Sequence, residues 1–315
     1  MNTSRFARLQ ATREVRISHP RKSVDMTAGL AMVVFCLALG FQQVAIKSVI
    51  GDISSLAQIA LRSALAFVLV AVLVRWRGIS LHDLRARLGA GVGVGLGFTF
   101  EFVFVAWGLN YTLASHMSVF LYTAPVFAAL GLHFLVPGEQ LSRRQWWGIA
   151  LAFLGMVFSM APTADVVGAR DILIGDALGL LAGLSWAATT LVLRTTSLSE
   201  APVEQTLMYQ LGMAGLLLLP AAYILGDLSS IKLTQTVIAS LTFQTLIIAF
   251  GALLLWFALL RRYRASQLGV FSFLSPVFGV LFGALLLDDP LTTNFLIGGA
   301  MLMIGIVLVT RQKQI

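Results

Sequence analysis

Residues Leu88–Val105 read LGAGVGVGLGFTFEFVFV. Glycine takes every second position from Gly89 to Gly97, and phenylalanine every second position from Phe98 to Phe104. One acid, Glu101, stands among the phenylalanines. Alternation by two is the pattern of a strand, and closely spaced glycines can cradle a phosphate. The composition rules out both. Hydrophobic residues make up 58% of the 315-residue chain and charged residues 11%, against about a quarter charged in a soluble domain. So few charges cannot clothe a surface in water, and the chain reads as an all-α polytopic membrane protein. A lone strand cannot satisfy its backbone in lipid. No Lys-Ser/Thr follows the glycines, as a phosphate loop requires. The segment is therefore a helix. On it Gly89, Gly93 and Gly97 form one stripe, continued by Glu101 and Gly108, with a second glycine stripe interleaved. Small residues four apart let backbones approach closely, so this face is expected to pack on protein and to turn Glu101 inward.

A spanning helix takes about 20 apolar residues. Ten runs qualify: 27–47, 55–76, 88–110, 113–136, 145–162, 172–194, 203–225, 236–260, 265–287 and 293–311. Their joints carry turn or charge signals, such as PGEQLSRRQ (137–145) and LDDPLTTN (287–294). The expected organisation is a basic cytoplasmic tail over 1–26, a five-helix unit over 27–162 and a second over 172–311. No cleavage site follows the first apolar run, which predicts a retained tail rather than a secretory signal. With both termini cytoplasmic, all but four of the 22 lysines and arginines fall on the inner side. The exceptions are Lys47, Arg170 and Lys232 outside, and Arg62 within the second span. That bias is what the positive-inside rule asks for. The net charge of +8 thus belongs to helix ends rather than to a nucleic-acid surface. The single cysteine, Cys36, excludes an intramolecular disulfide.

The two units resemble each other. ASHMSVFLYTAPVF (114–127) and ASQLGVFSFLSPVF (265–278) agree at seven of fourteen positions at an offset of 151. Residues 140–157 and 290–307 share a frame of L, G, A, G and V at an offset of 150. An odd number of spans per unit sends the second unit into the membrane from the opposite face. This is an inverted repeat, an architecture of alternating-access transporters.

The A-S-x-x-x-V-F-x-x-x-x-P-V-F unit, the G-E-x-L-S junction (Gly138–Ser142) with its degenerate copy Asp288–Thr292, and Trp186 in the sixth span carry a family resemblance. Over residues 27–311 the chain resembles the drug/metabolite transporter superfamily, in its ten-helix bacterial exporter branch called the EamA family. Within that branch it is most similar to the aromatic amino-acid exporters. The resemblance implies export of small metabolites through a central cavity between the halves, from a bacterial inner membrane.

Charge inside a span is costly and marks function by default, which singles out Glu101 and Arg62. At 1.5 Å per residue both lie about 10–13 Å below the outer end of their helices, within reach of each other. Two readings stay open: an ion pair tying the second span to the third, or a cavity-lining Glu101 that meets an amine or a proton. Gln42, Tyr122, Trp186, Gln210 and Ser275 complete the candidate substrate site. Pro125 and Pro276 hold matching places in the two halves, and a proline frees a carbonyl and permits a hinge. Glu101 aligns with Ala252, so the acid is no part of the shared scaffold. His116 and His133 read as single structural histidines. With no HExxH and no Gly-x-Ser-x-Gly in the sequence, neither an enzyme nor a metal or other cofactor is expected. The reading is a transporter of uncharged or zwitterionic metabolites, amino acids and aromatic ones above all. Its alternatives are an organophosphate or nucleotide-sugar exchanger, which calls for more basic residues than Arg62 in the core, and a channel-like facilitator. The expected partners are a small-molecule substrate and the bilayer, with no nucleic acid, no ATPase subunit and a monomer as the working unit.

Overall fold

The computed structural model describes residues 25–80, 85–136, 140–161, 168–263, 268 and 271–310. The basic tail, the start of the Gly138–Ser142 junction and most of the first half of the 265–278 repeat lie outside them. Among the described residues the regular structure is helical throughout. The spans are α1 (Met26–Lys47), α2 (Ser55–Trp76), α3 (Leu88–Tyr111), α4 (Ala114–Leu121 continued by Ala124–Leu135) and α5 (Arg143–Ser159). They continue as α6 (Ala169–Thr195), α7 (Val203–Ile224), α8 (Gln235–Thr242, Phe243–Ala252 and Leu253–Arg262), α9 (Leu274–Leu286) and α10 (Thr293–Thr310). Seven are long and apolar enough to cross a membrane: α1, α2, α3, α4, α6, α7 and α8. Large apolar side chains such as Val34, Val72, Leu154 and Leu216 point outward, while Gln58, Arg62, Glu101 and Gln210 point inward. A bundle in lipid carries this reversed pattern, since its polar groups must be satisfied within the protein.

Local sequence sets the helix ends. Ser142 accepts from the backbone of Gln145, and Gln145 returns the bond as a capping box. Thr292, its counterpart at offset 150, caps α10 by accepting from Phe295 N. The serine and threonine of the repeated junction are therefore N-caps. Both prolines interrupt their helices. Pro125 occupies the first turn after the break at Tyr122–Thr123, and Pro276 follows a break at Phe273. A proline cannot donate to the carbonyl four residues back, and its ring crowds that carbonyl. The turn just before it opens, at 122 and at 273, which are 151 residues apart.

The interleaved glycines of α3 serve two neighbours at once. A Cβ on Gly95 would stand 2.6 Å from Met213 Cβ and 2.8 Å from the Tyr209 carbonyl oxygen of α7. On the other stripe, Gly93 faces Val192 and Gly97 faces Thr189 of α6. Gly89 departs from the expected seam: a Cβ there would meet nothing within 4 Å, whereas Gly91, two residues on, already meets Tyr209 of α7.

The remaining close pairs follow a pattern. α5 lies on α10, and α2 lies on α7. Gly148 abuts Gly305, and Gly155 abuts Gly298, so α5 and α10 run antiparallel. Gly298 and Gly305 are the offset-150 counterparts of Gly148 and Gly155, so each contact is matched by its own copy. Gly215 likewise sits on Ala64, its offset-151 counterpart. α1 packs on α9 as α6 packs on α4.

Candidate functional site

Where α4 and α9 break, the bundle encloses a cavity of about 510 Å³. Gln42, Glu101, Tyr122, Trp186, Gln210 and Ser275 all line it, and so do Arg62 and Pro125. Pro276 is buried and does not line it. The walls are mostly aromatic. Phe98 meets Phe102 edge-on at 4.8 Å, Tyr122 meets Trp186 edge-on at 5.4 Å, and Phe35 stacks on Trp256 at 5.5 Å. The four phenylalanines of α3 divide by face: Phe98 and Phe102 turn in, whereas Phe100 is 52% exposed. The cavity extends toward the end of the bundle where α1 begins, since Arg194 and Trp256 lie near the ends of α6 and α8.

Arg62 is 1% exposed. Its guanidinium rests 4.2 Å above the Phe102 ring, a cation–π contact. Its Nε and Nη1 have no hydrogen-bond partner. Glu101 and Arg62 share the cavity and interact electrostatically, but among the described residues no carboxylate oxygen comes within the 4.0 Å of an ion pair with Arg62. Of the two readings open from the sequence, the direct ion pair between α2 and α3 is thus absent among the described residues, and both groups face the cavity.

The opposite end of the bundle carries a polar network that the sequence did not reveal. Asp176, two turns into α6, accepts from Thr112 Oγ1 at the end of α3. His116 Nδ1 lies 2.9 Å from Asp176 Oδ2, and its ring stacks on Phe295 of α10 at 4.0 Å. Lys47, ending α1, donates to the Thr112 carbonyl. Asp289, before α10, accepts from Ser115 N at 2.8 Å. The sequence offered one signal, an aspartate in an apolar helix at a depth similar to that of His116 on α4. Other polar groups are helix–helix glue, as when Gln244 donates to Gln58 at 2.8 Å.

The EamA-like transporter family matches residues 26–161 and 173–311. A probable amino-acid metabolite efflux pump of Escherichia coli (strain K12) is 27% identical over 208 residues, 63% of this chain and 68% of that one. An uncharacterized transporter of Archaeoglobus fulgidus is 27% identical over 309 residues, covering 90% of this chain and 98% of its own. A solved crystal structure superposes with a TM-score of 0.64 at 18% identity, over 90% of this chain and 97% of that one, a likeness of fold. With both stretches of matched sequence covering the helical bundle from α1 to α10, the chain belongs to the EamA-like transporter family.

Proposed function

We propose that the protein exports small uncharged or zwitterionic metabolites, amino acids with aromatic ones preferred, through the cavity between two inverted five-helix halves. It does so by alternating access, as a monomer in a bacterial inner membrane with both termini cytoplasmic. The observation that carries this reading is the cavity itself, about 510 Å³, walled largely by aromatic rings and lined by one acid, Glu101, and two bases, Arg62 at its buried centre and Arg194 toward the end of α6. An apolar pocket with a few placed polar groups is the usual form of a small-molecule site. The amino-acid class draws support from the efflux pumps among the relatives. The matched antiparallel seams of α5 with α10 and α2 with α7 support the inverted halves, as do the paired breaks at 122 and 273. An organophosphate would bring two or more negative charges into a cavity whose buried centre holds Arg62 as its cation, which makes that rival the weaker one.

The test is counterflow in proteoliposomes preloaded with unlabelled substrate. Labelled tryptophan and phenylalanine are expected to exchange faster than alanine, and a sugar phosphate not at all. A sugar phosphate that outpaces the amino acids overturns the reading. Topology is tested by labelling introduced cysteines, since the native Cys36 is buried. Positions in 75–87 and 137–145 are expected to label from the cytoplasm, and positions in 161–171 from outside. Cytoplasmic labelling of 161–171 would remove the inverted arrangement.

A further inference from the structure

We propose that Arg62 binds the carboxylate of the cargo and Glu101, with Gln43, binds its ammonium group, so that an α-amino acid is carried as a zwitterion between α1, α2 and α3. The assignment rests on the reading of the cavity as the cargo site, and it names the groups that read the cargo there. Arg62 enters the cavity with donors unspent: Nε and Nη1 are buried and unpartnered, and among the described residues no acid lies within ion-pair distance. An unpaired buried cation is costly and persists where function holds it. The Phe102 ring lies 4.2 Å from the guanidinium carbon, and a planar fork of donors matches a carboxylate or a phosphate with paired bonds, of which an amino acid carries the first.

The complementary half is close by. Glu101 directly precedes Phe102 on α3, so the acid and the platform under Arg62 move together. Gln43, which lines the same cavity, contributes a buried carbonyl oxygen, Oε1, that also lacks a partner. Unused donors on one side and acceptors on the other suit a ligand carrying both charges. Keeping Arg62 and Glu101 apart is part of the device. A direct salt bridge would spend both groups on each other, and the cargo would have to break it.

Three indole ligands separate the contributions: tryptophan with both charges, tryptamine without the carboxylate, and indole-3-propionate without the amine. In counterflow the wild type is expected to favour tryptophan at least tenfold over either. Arg62→Gln should slow tryptophan at least tenfold and bring the tryptophan-to-tryptamine ratio toward one. Glu101→Gln should do the same for the ratio to indole-3-propionate. Thermal unfolding of each purified variant accompanies the assay. If Arg62→Gln does not fold, the wild-type ratios decide alone. Tryptamine exchanged as fast as tryptophan by the wild type, or an unchanged ratio in a folded Arg62→Gln, overturns the assignment and leaves the transporter reading standing. Exchange of none of the three ligands strikes at the cargo reading beneath it.

Discussion

Asp176 and Arg62 are both 1% exposed, and the protein treats them in opposite ways. At the end of the bundle where α1 finishes, Asp176 accepts from Thr112 and bonds His116, with Lys47 and Asp289 tied to neighbouring backbone. In the cavity Arg62 has a ring beneath it and two nitrogens without partners. A buried polar group left unsatisfied costs stability, while a satisfied one is close to neutral and fixes geometry. The network therefore ties the helices together at one end, and the cavity keeps its polar groups in reserve. Stability should follow the first site and transport the second.

The largest expected effect falls on the network. Asp176→Ala strips the acceptor from Thr112 and His116 at one stroke and leaves both buried. Removing one partner of a buried pair costs about 3–5 kcal/mol, read as a lowered Tm of the detergent-purified protein. Asp176→Asn keeps an acceptor oxygen and should fall between alanine and wild type. A wild-type Tm with lost transport would erase the contrast and place Asp176 on the cargo path.

Glu101→Gln is the mirror experiment. It keeps the shape, and no ion pair is lost with the charge. Tm is expected to stay within about 1 kcal/mol of wild type in equivalent stability, since no bonded partner is orphaned. Exchange of an amine-bearing substrate should fall at least tenfold. Full activity would make Glu101 a structural residue.

Helix spacing explains which parts of this contrast the sequence could announce. Glycines at intervals of four placed Glu101 inward, and the prolines marked both breaks, because each signal acts within one or two turns of the residue that carries it. Depth could be counted along α2 and α3, so Arg62 and Glu101 were placed in one layer. Rotation about the helix axes could not, and that rotation decides between a direct pair and two groups facing a shared cavity. The Asp176–His116 bond joins residues 60 apart in sequence, and its partners come from three helices and a stacked Phe295. The π-helical stretch Phe243–Ala252 was equally silent. It aligns at offset 151 with residues 92–101, the glycine run ending in Glu101, so the two aligned stretches differ in helix geometry. π-turns gather at functional sites, yet nothing in FQTLIIAFGA announces one.

A moderate effect is expected at the breaks. Pro125→Ala and Pro276→Ala restore a donor to each opened turn and let α4 and α9 straighten. If the two breaks bend when the cavity changes the side it faces, exchange should slow about three- to tenfold in either variant at near-constant Tm. Unchanged kinetics in both, at equal protein in the liposomes, would leave the prolines as fixed bends.

The smallest effect separates neighbours on α3. Phe98 turns in against Phe102 at 4.8 Å, and Phe102 carries Arg62. Phe100, two residues on, stands 52% exposed, on the outer face of the helix. Phe98→Ala removes a cavity wall and the edge contact that steadies the Phe102 platform. It should cut exchange of aromatic substrates several-fold and cost stability, as an emptied buried ring does. Phe100→Ala exchanges a ring for lipid tails, which are as apolar as the side chain they replace. Exchange within twofold of wild type and a change in stability of about 0.5 kcal/mol or less are expected for it. A loss at Phe100 that matched the loss at Phe98 would mean that this outer face is covered by protein rather than lipid. The working unit would then be larger than one chain, and the division of α3 into a cavity face and an outer face would have to be redrawn.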